Sequence, residues 1–292
     1  QVNALTNANV SAMTTTQVAA LTTAQVNALT TSAVSALGTA QVQALSTGQL
    51  QAITAANVTA LSSTQVAAFT TAQVSSLNTA QVVALETADI AALSTAQVAA
   101  LTTAQVNVLE TADIGAMSTG QVAALTTGQV QALTAGSVTA LSTSQVQAMS
   151  TAQMNALSTS QVQAMTTSQV ASLSAAQVKG LSTAQVVALE AGDIQVLNTT
   201  QVKALTTGQI QALELTDVAG LNTTQLAALT ADQVGALTTA QVVTLTTSEI
   251  SNLSYDQVKA MSTTQLQAME VVDVAVLNSD QVSSLSATQV QA

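Results

Sequence analysis

Five pairs of carboxylates are the residues of this chain whose type and spacing could do chemistry. They are Glu86/Asp89, Glu110/Asp113, Glu190/Asp193, Glu214/Asp217 and Glu270/Asp273, each Glu three residues before its Asp. Paired carboxylates serve as acid and base, or acid and nucleophile, in glycoside hydrolysis. They also suit a hard cation such as calcium, which takes about six to eight oxygen ligands. Glycosidase chemistry further requires a cleft and an aromatic platform, and the chain has one Tyr, one Phe and no Trp. There is no Asp-x-Asp-x-Asp-Gly loop, so a calcium ion would have to draw on pairs from neighbouring segments. A third use is a contact stripe for a protein partner. The plainest use is electrostatic: acids in the first turn of a helix complement the positive end of its dipole. No other chemistry competes with these ten residues. With no His in the chain, nothing is available to activate the many Ser and Thr hydroxyls as nucleophiles. No catalytic or cofactor-binding residue is therefore assigned, and the chain is expected not to be an enzyme.

The elements that position these pairs follow from an eight-residue repeat. Large apolar residues recur at Val2, Val10, Val18 and every eighth position to Val290, and all 37 positions hold Val, Ile, Leu or Met. A second series runs from Leu5 to Leu285, and all 36 positions hold Leu, Met, Ile or Phe. All seven Met residues, Met154 included, and Phe69 lie in these two series. The register is unbroken, so the chain reads as a single uninterrupted octapeptide-repeat array over 1–292. The unit is Leu-[Ser/Thr]-Thr-Ala-Gln-Val-x-Ala-Leu, as in Leu181 to Leu189. The residue after Leu is Ser, Thr or Asn in 30 of 36 units, and the residue three further on is Gln in 26 of 36. This is a capping box, in which the hydroxyl accepts from the backbone three residues on and the Gln reaches back. In each acidic pair Glu replaces the cap and Asp replaces the Gln.

One continuous helix does not fit, because apolar spacings alternating 3 and 5 average roughly 4.0 per turn against the 3.6–3.67 a helix or a right-handed supercoil tolerates. The expected fold is all-α: a superhelical solenoid of short capped helices, one per octapeptide, bent at each Thr-Thr or Ser-Thr. Such helices are unstable singly and survive by stacking. The exceptions to Gln (Asn9, Ala33, Asn57, Asp89, Asp113, Ser137, Asp193, Asp217, Glu249 and Asp273) recur at 24 or 32 residues, with one interval of 56. If they align along one side, the superhelix closes about every 3.3 octads. The alternative is a β-solenoid, since Thr and Val favour strands. Against it, Val and Leu are separated by odd numbers and would point to opposite faces of a strand.

Composition excludes several functions. The net charge is −11 and the only cations are Lys179, Lys203 and Lys259, all at the outward position after Val. Such a chain cannot supply the basic surface that nucleic acid requires. No apolar run approaches the ~20 residues of a membrane span, so no membrane insertion is expected. Tyr255 reads as a half-exposed surface residue.

The octad resembles the long Ser/Thr-Thr-x-Gln-[Val/Ile]-x-Ala-Leu arrays of very large bacterial surface or secreted proteins, some described as adhesins or haem-utilisation proteins. The resemblance covers the whole chain and implies a structural or adhesive extracellular rod, stalk or filament subunit. A haem role finds no His ligand here. Leu181 to Leu189 also looks like the opening helix of a transcription activator-like effector repeat, without that family's longer unit, base-reading loop or basic charge. Neither terminus departs from the repeat, so self-association, end to end or lateral, or a longer parent chain is expected.

Overall fold

The computed structural model describes residues 5–291. Among these, 36 short helices follow one another from Asn7–Ser11 to Ala287–Val290, one per octad, and no strand occurs. The all-α expectation holds and the β-solenoid alternative does not. The chain divides into two compact units, Gln1–Met149 and Ser150–Ala292, built on the same rules.

One octad of the first unit shows how sequence becomes structure. Met117 and Ser118 are extended, with ψ of 141° and 159°. The helix Thr119–Ala124 then begins. Ser118 Oγ accepts from the Gln121 N–H at 3.2 Å, and Gln121 Oε1 accepts from the Ser118 N–H at 2.7 Å. The reciprocal pair satisfies two of the groups that every helix start leaves without partners. At the far end the Leu125 N–H donates to the Val122 carbonyl at 3.2 Å, and the chain leaves the helix at Leu125. The bend therefore lies at Leu and the cap residue, one position earlier than expected from the Thr-Thr step; the second Thr is already helical. No described residue has positive φ, so the bend requires neither the glycine nor the proline that usually ends a helix.

In each unit every helix packs on the third after it. Thr95–Ala100 lies against Thr119–Ala124 in the first unit, and Ala231–Ala236 against Tyr255–Ala260 in the second. Both apolar series point inward. Every member from Val10 to Val258 in one and from Leu29 to Met269 in the other is buried. Burying such side chains stabilises by about 1.5–3 kcal/mol each, which is what holds helices of four to six residues that would not persist alone.

The outward position after Val contributes a further tie. Where a described residue there is Asn it reaches a carbonyl 25 residues on: Asn27 Nδ2 to Ala52 at 2.9 Å and Asn107 Nδ2 to Ala132 at 3.0 Å in the first unit, Asn155 Nδ2 to Gly180 at 2.9 Å in the second. Gly235 occupies this position where the backbone of the following turn comes close. A Cβ there would lie 2.8 Å from the Ala260 carbonyl oxygen, whereas one at Gly48 would meet nothing within 4 Å. Gly235→Ala is expected to destabilise the second unit by about 1–3 kcal/mol through overpacking. Gly48→Ala is expected to stabilise the first by about 0.5–1 kcal/mol through helix propensity. Chemical denaturation of the two variants checks both signs.

Candidate functional site

The acidic pairs occupy the same local geometry as the Ser/Thr–Gln pairs they replace, and this separates the two carboxylates. Each Glu stands at the cap, makes no side-chain capping bond and is exposed. Its extra methylenes carry the carboxylate past the N–H that a Ser hydroxyl meets. Each Asp sits in the first turn and is buried, between 2% and 6% exposed. Asp89, Asp113 and Asp217 accept the backbone N–H of their Glu at 3.0 Å, and Asp193 and Asp273 at 3.3 Å. Asp113 also accepts from Thr87 Oγ1, 26 residues earlier, at 2.8 Å. Thr167 stands in the same relation to Asp193. Burial pushes the carboxyls of Asp193 and Asp217 above the usual Asp range; the backbone N–H bond, and at Asp193 the Thr167 bond, oppose this, and the neighbouring Glu190 or Glu214 charge adds to it.

Within each unit two of the pairs lie on neighbouring turns, while the helix of Glu270/Asp273, Val271–Ala275, packs on Thr247–Ser251. The 24-residue steps between pairs join helices in direct contact: Thr87–Ala92 with Thr111–Ala116 in the first unit, Ala191–Gln195 with Leu215–Ala219 in the second. Each unit thus sets two such pairs one above the other, with Asp buried and Glu exposed. Among the described residues no three acidic, His or Cys side chains come together as a metal-binding group. Within each unit the candidate carboxylates therefore recur along stacked helices without being brought to one point. Lys179 and Lys203 line an open groove with Thr206, Thr230 and Asp232. Lys259 lies 5.7 Å from the centre of the Tyr255 ring, and Tyr255 is 46% exposed.

The residue that sequence reasoning underrated is the Gln itself. Besides closing its own capping box, Gln121 Nε2 donates to the carbonyls of Ile90 at 2.9 Å and Leu93 at 2.8 Å, 31 and 28 residues earlier. In the second unit Gln241 Nε2 donates to Ile210 at 2.9 Å and Leu213 at 2.8 Å, at the same offsets. The Leu carbonyls lie beyond the helix end, where intrahelical partners are lacking; the Ile90 and Ile210 carbonyls also accept the N–H of Leu93 and Leu213. One side chain thus starts its own helix and finishes another in the preceding turn. A signal for this was present: a capping box accepts Glu as readily as Gln, yet Gln holds 26 of the 36 positions and Glu one. Only Gln carries the donor. Side-chain contacts at 25 or 26 residues and at 28–31 bracket the expected turn of about 3.3 octads.

A family model described as the ALTTAQ repeat matches residues 1–31, 23–55, 82–111, 106–143, 136–167, 162–191, 186–219 and 210–247. No curated protein matches the chain. The matched stretches overlap to cover 1–55 and 82–247, well over half of the 292 residues and in the same octad register that sets the helices, and the chain belongs to the ALTTAQ repeat family.

Proposed function

We propose that the chain is a structural or adhesive element of an extracellular or cell-surface assembly: a non-catalytic stalk, rod or filament subunit that supplies length through stacked octads. The observation that carries this reading is uniformity. Capping boxes, inward apolar series and Gln ties repeat through each unit, and the functional candidates fall on repeat positions instead of departing from them. Stability in such an array is a sum of local and nearest-neighbour terms, so length can grow without redesign. Self-association fits the same reading. Val274, Val282 and Val290 belong to the inward series yet are 50%, 48% and 66% exposed. A further octad turn, from a second copy or from continuing chain, would cover them. No helix among the described residues is long and apolar enough to cross a membrane.

The test is sedimentation velocity combined with small-angle scattering over a concentration series, with and without calcium. An elongated particle whose mass grows with concentration is expected. A particle of fixed monomer mass at all concentrations would remove self-association, and a compact globule would remove the rod. Growth only on adding calcium would favour the acidic pairs as a binding stripe instead.

A further inference from the structure

The Gln slot is built around a donor. In the second unit Gln185 Nε2 reaches the Leu157 carbonyl at 2.7 Å, and Gln241 Nε2 reaches that of Leu213 at 2.8 Å, both 28 residues earlier. At 193 and 217 the slot holds Asp, and the residues 28 earlier are Met165 and Leu189. The shorter side chain bridges this offset when it turns from its own cap: Asn57 Nδ2 donates to the Leu29 carbonyl at 2.8 Å, and its helix has no capping box. An ionised Asp offers only acceptors, while a protonated one has a hydrogen to donate. The ionised carboxylate accepts instead, from the cap N–H of Glu190 or Glu214 and at Asp193 also from the Thr167 side chain, and has no hydrogen to give the carbonyl.

We propose that Asp193 and Asp217 form an acid-operated latch: each takes up a proton and, as an O–H donor, hydrogen-bonds to the carbonyl oxygen of Met165 or Leu189, closing the tie that Gln makes at other octads. The two act in series. Asp217 sits on Leu215–Ala219, which packs on Ala191–Gln195, the helix that carries Asp193. Its acceptor, Leu189, immediately precedes the cap Glu190 of that helix. Acidification would thus tighten three successive turns of the second unit. This goes beyond a structural role by giving the array a pH-dependent stiffness.

The charged surroundings favour proton uptake. Both Asp residues are at most 4% exposed, and burial holds both carboxyls above the usual range against the cap N–H bond of each and the Thr167 bond to Asp193. Each has its own Glu, Glu190 or Glu214, at the cap, and each faces the turn of the other. The flanking helices Thr167–Ser172 and Thr239–Val243 carry no ionisable side chain. Glu249 occupies the Gln slot of Thr247–Ser251, four octads beyond Asp217. None of these helices carries Lys or Arg. A carboxyl whose folded pKa exceeds its unfolded pKa binds protons more readily in the folded state. Its stabilising contribution is complete below the unfolded value and is lost as pH rises through the folded one.

The experiment compares thermal unfolding of the full chain, of Asp193→Asn/Asp217→Asn and of Glu190→Gln/Glu214→Gln between about pH 7 and about pH 4. The native chain is expected to gain about 2–5 °C in midpoint on acidification. The Asn variant should already have this gain at neutral pH and should show little further rise, whereas the Glu variant should keep rising. An Asn variant that rises as the native chain does, or that is less stable than it at neutral pH, would overturn the latch. Isotope-edited NMR of the native carboxyl carbons gives a second reading. Titration of both Asp residues above the usual range is expected, and titration within that range would overturn the proposal even if the variants failed to fold.

Discussion

Gln81→Glu lowers the stability of the first unit by about 2–4 kcal/mol at neutral pH. The substitution changes shape hardly at all. Gln81 is 1% exposed; its Oε1 accepts from the Asn78 N–H at 3.0 Å, and its Nε2 donates to the carbonyls of Leu50 at 2.8 Å and Ile53 at 2.7 Å. Glutamate can keep the first bond. It replaces the two donated bonds by an acceptor against acceptors, and it buries a charge with no cation beside it. Leaving one buried polar group without a partner costs about 1–3 kcal/mol, and a carboxylate adds its own desolvation. The capping box alone would place the loss near zero, since Glu and Gln serve equally there. Urea unfolding followed by circular dichroism therefore separates the two roles. The reverse exchange is available natively: Glu249 holds a Gln slot, is buried, and accepts from the Thr246 N–H at 2.7 Å. Glu249→Gln should stabilise the second unit by about 1 kcal/mol.

Leu50→Ala costs about 2–5 kcal/mol. Leu50 has no exposed surface, and it stands in the inward series where most octads carry Val. Its helix, Thr47–Ala52, packs on Thr23–Asn27 before it and Thr71–Ser76 after it. Truncation removes methylenes from a site that three turns share, and short helices fixed at both ends by capping bonds cannot collapse freely into the void. Because each octad contacts only neighbouring turns, hydrogen exchange should rise locally, in the octads around Leu50, before the rest of the unit opens. The control is Val83→Ala, at an outward position that is 53% exposed, where a change within about 0.5 kcal/mol is expected. Equal losses at the two positions would show that the series beginning at Val2 does not form the core.

Much of this architecture was legible because it depends on local chemistry repeated in register. Ser or Thr followed three residues later by Gln announces a helix start, and apolar spacings of 3 and 5 forbid that helix from continuing. The departures from Gln carried the turn length, because those 24 residues apart lie on helices that stack on one another. What was not legible is long-range. No local rule says that the Gln amide meets carbonyls 28 and 31 residues away, or that Asn107 reaches a carbonyl 25 residues on. Those offsets depend on the superhelical pitch, which is set by two extended residues at each bend. The acidic pairs show the same division. Their placement at helix starts followed from spacing, whereas the burial of each Asp and the exposure of each Glu followed from side-chain length against a backbone already fixed. The bend was displaced by one residue because Leu, read as sharing a helical face with Val, leaves the helix as an extended residue and still buries its side chain.

The most direct measurement of the winding uses the absence of native Cys. Asn107→Cys/Ala132→Cys places thiols on neighbouring turns, where Asn107 Nδ2 now meets the Ala132 carbonyl at 3.0 Å. Asn107→Cys/Ala124→Cys places them closer in sequence but on different sides of the coil. With a short bifunctional maleimide at high dilution, the first pair should cross-link rapidly within one chain and the second should not. Cross-linking that follows sequence separation, with the second pair reacting faster, would contradict a solenoid that closes between three and four octads.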